Sequence, residues 1–417
     1  MQGSGAVPSG PDSTAKRAVP MNQTRITAAF LNIGHAVDHL MMLIFPTVVL
    51  AMTASFGSDY RAMLPLSLGG FLAFGAGSLP AGWLGDHWGR RPMMIVFFVG
   101  VGVAGILTSL AQTPWQIAGG LTLVGLFAAI YHPVGIAMLV KDQKRMGRAL
   151  GWNGLCGNLG VAFAALSAGA LADLAGWRAA FAVPGVIAIV IGIVFAWLVP
   201  AAPAPAAATA GGGRRVRHDD EARRVFALLT VATVCGAVVF NATTIVMPKL
   251  FDVRLAALVH TTFGIGVLVC FVYVLAAFAQ LLVGQLIDGR PLRDVFLPFA
   301  VLLGPLLLLV GALSDWPMLA VSVAMMFVVF GFIPITDAMV ARYAHDAWRS
   351  RVYAARYLIS LVASSIAVPL VSFLPPERAG FVWLFAVLLV FAVGILACAW
   401  LFPRGTRVGS PAVEAAE

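Results

Sequence analysis

Gly82-Trp83-Leu84-Gly85-Asp86-His87-Trp88-Gly89-Arg90-Arg91-Pro92 fills a short basic gap between two long apolar runs, near 63–85 and 92–111. About 20 apolar residues suffice to cross a bilayer as a helix, so the stretch reads as a tight turn joining two membrane spans. Its glycines permit close approach of backbones. Its single carboxylate, Asp86, stands just ahead of two arginines.

Outward from this turn the whole chain has the same character. Hydrophobic residues make up 60% of the 417 positions and charged residues 11%, which excludes a soluble globular chain. Twelve apolar runs lie near 26–52, 63–85, 92–111, 115–139, 149–172, 179–199, 225–250, 262–287, 295–313, 316–340, 352–373 and 379–402. The expected fold is therefore an all-α membrane protein with twelve transmembrane helices, and the short connections leave no room for a soluble domain. Residues 1–25, rich in Gly, Pro and Ser, read as a disordered cytoplasmic tail, and no cleavable signal peptide is expected. Residues 200–224 carry Pro-Ala repeats, three glycines and an arginine cluster, the composition of a flexible cytoplasmic linker. This linker divides the chain into six-helix halves, 26–199 and 225–402, followed by a second tail at 403–417.

The net charge of +9 raises the question of a nucleic-acid partner, and its placement answers no. With the N-terminus in the cytoplasm, 21 of the 27 Lys and Arg residues fall on the inner side and 5 on the outer, with Arg356 inside the eleventh run. That asymmetry reports membrane orientation: a multi-pass inner-membrane protein with both termini cytoplasmic. Cys156, Cys235, Cys270 and Cys398 lie inside apolar runs without C-x-x-C spacing and read as small buried hydrophobes.

The halves echo each other. Gly284-Gln285-Leu286-Ile287-Asp288-Gly289-Arg290 is a worn copy of Gly82–Arg90 about 202 positions on, and Ala137-Met138 is matched by Ala338-Met339. The Gly82–Pro92 string resembles the loop 2–3 signature of the major facilitator superfamily, G-x-L-x-D-x-x-G-R-[RK], with every key position filled. The resemblance covers about residues 26–402. It implies a solute transporter built from two pseudo-symmetric six-helix halves related about the membrane normal. It also implies that Gly82, Asp86, Gly89, Arg90 and Arg91 form a cytoplasmic gating latch, with Asp86 near the start of the eleventh helix, where a helix N-terminus favours a carboxylate. A plain solvated loop is the alternative.

Polar residues inside the runs mark the candidate site. Asn32, His35 and His39 share one face of the first run, with Asp38 adjacent. Asp38 lies roughly 18 Å along the helix, near mid-membrane, where a charged carboxylate is costly and usually faces a cavity. Asp38 with His35 is therefore the expected proton-coupling pair, against the alternative of an Asp–His lock between helices. Tyr131-His132-Pro133 ends the fourth run, and Pro133 should kink the helix and set His132 at a bend. In the second half, Asn241, Thr243 and Thr244 on the seventh run and Thr336-Asp337 on the tenth are the polar insertions. The resemblance implies that helices 1, 4, 7 and 10 line a central cavity. This gives a substrate site of Asn32, His35, His39, Tyr131, His132, Asn241 and Asp337. A gate, or a salt bridge of Asp337 with Arg356, competes with substrate contact. Gly151, Gly154, Gly157 and Gly160 form a packing stripe on the fifth run.

A narrower likeness rests on helices 1, 4 and 5. His35-Ala36-Val37-Asp38 with downstream Pro46, His132-Pro133, Gly147–Gly151 and Gly154–Gly160 resemble the fosmidomycin-resistance branch of proton-driven exporters. Val134 stands where that branch often has an acidic residue, Gly160-Val161 replaces an expected Gly-Pro, and Leu121-Thr122 replaces an arginine early in helix 4. No P-loop, HExxH or nucleophile-elbow string occurs, so no enzyme activity and no cofactor are expected, with the proton gradient as energy source. Soft thiolates and clustered carboxylates do not accompany the histidines, so no metal site is expected. The partners are a small organic solute, protons and the lipid bilayer, and the protein is expected to be a monomer. Proton-coupled efflux leads. Uptake of a metabolite or organic anion, and a non-transporting receptor or assembly factor on the same scaffold, are the alternatives.

Overall fold

The computed structural model describes residues 21–140, 146–200, 220–343, 349–373 and 378–403. Helices cover each of the twelve apolar runs. The first ten are α1 (Gln23–Phe56), α2 (Tyr60–His87), α3 (Arg90–Ser109), α4 (Pro114–Leu139), α5 (Ala149–Ala175), α6 (Trp177–Leu198), α7 (Arg224–Arg254), α8 (Thr262–Gly289), α9 (Leu292–Ala312) and α10 (Asp315–Val340). They are followed by α11 (Arg349–Ser372) and α12 (Gly380–Leu401). All but α11 are long and apolar enough to cross a membrane, and α11 contributes the shorter apolar stretch Leu358–Ser372. A helix satisfies its own backbone donors and acceptors, which is what a segment inside hydrocarbon requires.

Two boundaries move relative to the sequence reading. The first helix begins at Met21 and the seventh at Asp220, inside the segments expected as tail and linker. Hydropathy marks where a helix enters the membrane, whereas Glu, Ala and Arg propagate a helix in water equally well. The remaining tail and linker residues, and the basic loop 141–145, lie outside the described residues.

The spans alternate in direction. One end of the bundle carries the His87–Arg90 turn (the motif end), the other the Phe56–Tyr60 turn (the far end). Exposed Trp83, Trp88, Trp152, Trp197 and Trp400 ring the motif end, and exposed Trp115, Trp316 and Trp383 ring the far end. Two such belts fit the two faces of a bilayer. α1 is broken at Ile44 into Met21–Leu43 and Phe45–Phe56, with Pro46 opening the second segment. Its far end closes on Gly57 at φ 56°, whose N–H donates to Thr53 O, a left-handed position that suits glycine.

Small residues bring the helices together. A Cβ at Gly125 on α4 would collide with the Gly70 carbonyl of α2, one at Gly102 on α3 with Gly185 of α6, and one at Gly160 on α5 with the Ala36 carbonyl of α1. Without water to drive association, such close backbone approach is how spans hold each other. The halves α1–α6 and α7–α12 meet along α5–α8, α2–α11 and α1–α7. Hydrogen bonds cross this seam at the far end. Tyr60 OH donates to Ile245 O at 3.4 Å, Arg61 Nε to Ser372 O at 3.3 Å, and Phe263 N to Asp173 Oδ2 at 2.7 Å. Beside them lies a cavity of about 360 Å³ lined by Tyr60, Lys249, Asp252 and His260, away from the α1 histidines.

The glycine stripe of α5 is a packing face, but not uniformly so. Nothing stands within 4 Å of a Cβ added at Gly151, whereas Gly160 is occluded by Ala36. Gly160→Ala is expected to lower the apparent unfolding temperature in detergent, with an overpacking cost of about 1–3 kcal/mol. Gly151→Ala should leave it unchanged in the same measurement.

Candidate functional site

The site begins with spacing on α1. Asn32, His35 and His39 recur at helical intervals, and Asp38 lies on the shoulder of that face toward α4. The expected irregularity of α4 at Pro133 takes a specific form. The helix passes through a π-helical turn, Tyr131–Gly135. Proline lacks the N–H of a regular turn and its ring crowds the carbonyl four residues back, so the helix widens by one residue. The wide turn sets two consecutive rings against α1. Tyr131 stacks on His35 at 4.9 Å between centroids, and His132 meets His35 edge-on at 5.2 Å.

The polar atoms close into a network. His35 Nδ1 lies 2.7 Å from Asn153 O. A carbonyl only accepts, so Nδ1 carries the proton and Nε2 is directed at His39 Nε2, 3.1 Å away. Asn153 Nδ2 donates to Asn32 Oδ1 at 3.1 Å and to Tyr131 OH at 2.7 Å, and the tyrosine donates to Leu31 O at 2.7 Å. Asp38 is 0% exposed, and its Oδ2 faces His132 Nε2 at 3.5 Å. Among the described residues neither carboxylate oxygen has a hydrogen-bond donor. Beside the expected partner His35, whose two nitrogens are engaged by Asn153 and His39, Asp38 thus also meets His132. Gly157 makes room for the arrangement, since a Cβ there would lie 2.6 Å from His35 Cε1.

Asn153 is the residue that sequence reading missed. It is buried on α5, and an Asn between Trp152 and Gly154 in an apolar run was the available signal. The second-half candidates behave differently. Asn241 Nδ2 donates to Ala237 O at 2.9 Å, and the Thr243, Thr244 and Thr336 hydroxyls bond back along their own helices. Asp337 is half-buried on α10. The ring-stacked network described above is built from first-half residues, with Asn241 and Asp337 on the helices of the other half. The side chain of Arg356 lies outside the described residues, as do those at the start of α11.

The motif turn is tied down locally. Asp86, 68% exposed, meets Arg90 at 3.5 Å. Arg90 Nη1 donates to Ala137 O of α4 at 2.9 Å, and Arg91 donates to Val199 O at 2.6 Å and to Ala196 O at the end of α6. Gly89 sits at φ 111°, a conformation that favours glycine. Cβ atoms at Gly82 and Gly85 would come within 3.3 Å of Pro133 and 2.8 Å of Val134, so the motif packs directly on the π-turn. In the repeat, Arg293 Nη2 donates to Trp400 O of α12 at 3.1 Å, the counterpart of Arg91 on α6.

Residues 31–272, more than half of the chain, match the Major Facilitator Superfamily. The chain belongs to this superfamily. Its members are transporters rather than enzymes, and the facilitator fold extends beyond the matched residues into the second half. A bacterial homolog of the human lysosomal transporter Spinster, in an inward-facing and occupied conformation, superposes with a TM-score of 0.77 at 14% identity, covering 95% of this chain and 100% of that one. A POT family transporter in complex with 5-aminolevulinic acid gives 0.68 at 14% identity, covering 92% and 97%. The probable actinorhodin transporter of Streptomyces coelicolor is 28% identical over 204 residues, 47% of this chain and 35% of that protein. The puromycin resistance protein pur8 of Streptomyces alboniger is 33% identical over 110 residues, 26% and 22% of the two chains. The matched segments of this facilitator span 22–36% of the length of its curated relatives.

Asn153 supplies both donors that join Asn32 and Tyr131. Asn153→Asp keeps the shape and removes those donors. It is expected to destabilise the protein by about 1–3 kcal/mol, read as a lower apparent unfolding temperature in detergent, with Asn153→Ala at least as low.

Proposed function

We propose that this chain is a secondary active transporter that exports a small organic solute across the inner membrane in exchange for protons, by alternating access. The observation that carries the reading is Asp38, fully buried within a membrane bundle and facing His132 at 3.5 Å. An isolated charge at that depth costs at least about 2.5–3.5 kcal/mol. One proton shared between carboxyl and imidazole leaves the pair neutral overall. Adding a second proton or removing the first leaves a net charge that solute, water or a change of conformation must answer. That is the linkage an exchanger needs, because a ligand shifts the balance of two states only through its differential affinity for them.

In this reading Asn32, His39, Tyr131 and His132 form one wall of the solute site, with His35 held behind them by Asn153. Asn241 and Asp337 form the opposite wall. Gly82, Asp86, Gly89, Arg90 and Arg91 govern closure of the motif end, which faces the cytoplasm together with both termini, and the protein works as a monomer. Efflux is supported by relatives whose names are a puromycin resistance protein and a tetracenomycin C resistance and export protein. The likeness of α1, α4 and α5 to the fosmidomycin-resistance branch adds phosphonates to the solutes to be tried. Uptake is the second reading, and similarity over 36% of this chain to a probable 4-methylmuconolactone transporter of Cupriavidus pinatubonensis adds a metabolite to the solutes to be tried.

The test is transport in proteoliposomes with an imposed pH gradient, using puromycin and fosmidomycin as probes. Wild type is expected to move solute against the proton flux. Asp38→Asn should lose gradient-driven movement and keep solute counterflow. Gradient-driven movement that survives in Asp38→Asn overturns the coupling site. Movement of solute with the protons makes the chain an importer.

A further inference from the structure

The three imidazoles do more than line a wall. One ring nitrogen or another of His35, His39 and His132 lies within 4.8 Å of its counterparts on both neighbours. The Nε2 atoms of His35 and His39 are 3.1 Å apart. Two imidazole nitrogens bound about 2.0–2.1 Å from one tetrahedral zinc ion stand roughly 3.3 Å apart, so this pair already has the separation of ligands to a common ion. A hydrogen bond between the two rings accounts for their distance but not for the convergence of a third ring from another helix.

The surroundings carry the argument further. A metal-bound histidine ordinarily donates its second nitrogen to a carbonyl or carboxylate, which fixes the ring and its tautomer. His35 has that partner in Asn153 O at 2.7 Å, leaving Nε2 for an ion. Beside His132 the Asp38 carboxylate lies 3.5 Å from Nε2, short of a hydrogen bond but close enough to supply negative charge against a dication. The rings are held in place, His35 by the Tyr131 stack and His132 by the edge of Phe74 at 5.8 Å between centroids. His39 is half-buried and the His132 side chain is 9% exposed, so the cluster can be reached.

We propose that His35, His39 and His132 form a binding site for one divalent transition-metal ion of the imidazole-preferring class, zinc, cobalt or nickel. The missing thiolates and clustered carboxylates, which led the sequence reading away from metal, argue against copper(I), magnesium and calcium and not against these ions. Three histidines with Asp38 and Asn153 behind them leave a fourth position open, the arrangement of a site that exchanges a ligand. The ion would sit at the wall assigned above to solute and proton, but the inference rests on the geometry of the three rings and not on proton-coupled export.

The test uses tag-free purified protein in detergent, without gradient or solute. Cobalt(II) is followed by its visible absorption and zinc(II) by calorimetry. The expected result is one ion per chain, with affinity lowered by more than about tenfold in His39→Ala and in His132→Ala. His87→Ala and His260→Ala, on exposed positions, should bind as wild type. His39→Gln keeps a polar side chain, and its metal-free unfolding temperature establishes folding. In that folded variant, the zinc-induced rise in unfolding temperature seen in wild type should disappear. Absence of saturable binding to wild type, or binding unchanged in both His39→Ala and His132→Ala, overturns the site. Because no transport is measured, failure here leaves the exchange reading standing, and failure of the Asp38→Asn experiment leaves the metal site standing.

Discussion

The last carbonyls of a helix have no partner within it, and near hydrocarbon few waters supply one. This facilitator meets the need with arginine. Arg90 and Arg91 donate to carbonyls at the motif ends of α4 and α6, and Arg293 and Arg224 to those of α12. At the far end Arg178 donates to Ala111 O beyond α3, Arg254 to Gly311 O and Leu313 O closing α9, and Arg61 to Ser372 O closing α11. Each is a cation against the negative pole of a helix dipole. Among the described residues, these seven arginines each tie a helix to its neighbour's exposed end.

With the helix ends held, the interior can carry polar groups that a looser bundle would not tolerate. The first-half cluster is crowded with aromatic rings, and its hydrogen bonds run through one asparagine. Low dielectric strengthens each of these contacts and also penalises each unmatched atom. Asp38 departs from this, a carboxyl with imidazole beside it and, among the described residues, no hydrogen-bond donor. Polar groups left partly unmatched in a rigid frame are where chemistry with an incoming species is expected.

The twelve spans, the halves and the motif turn were legible because each is a statement about local composition. Hydrophobic length locates a span, and Gly89 followed by two arginines locates a turn. The face of α1 bearing Asn32, His35 and His39 was equally visible, because helical periodicity places its members together. Partners across helices were not. The approach of His132 to Asp38 depends on how α4 widens at Pro133, which the proline by itself does not specify. Asn153 was hidden for a similar reason. Which of the two asparagines in a glycine-rich stretch matters becomes clear only when α5 is laid against α1 and α4. The helix starts at Met21 and Asp220 were misjudged because hydropathy measures membrane entry and not where helical hydrogen bonding begins.

Gly82 and Gly85 rest on Pro133 and Val134 with no side chain between. The surface that carries the motif and the turn that carries His132 are therefore two sides of one contact. Nothing compressible lies between them to absorb a displacement. If α2 lifts from α4 at the membrane surface, the support behind the histidine goes with it, and a change in the histidine's position presses back on α2. Whatever free energy this contact transmits is the same in both directions. Gly82 and Gly85 thus leave the motif and the histidine's turn in direct contact, so that neither is displaced toward the other without moving it.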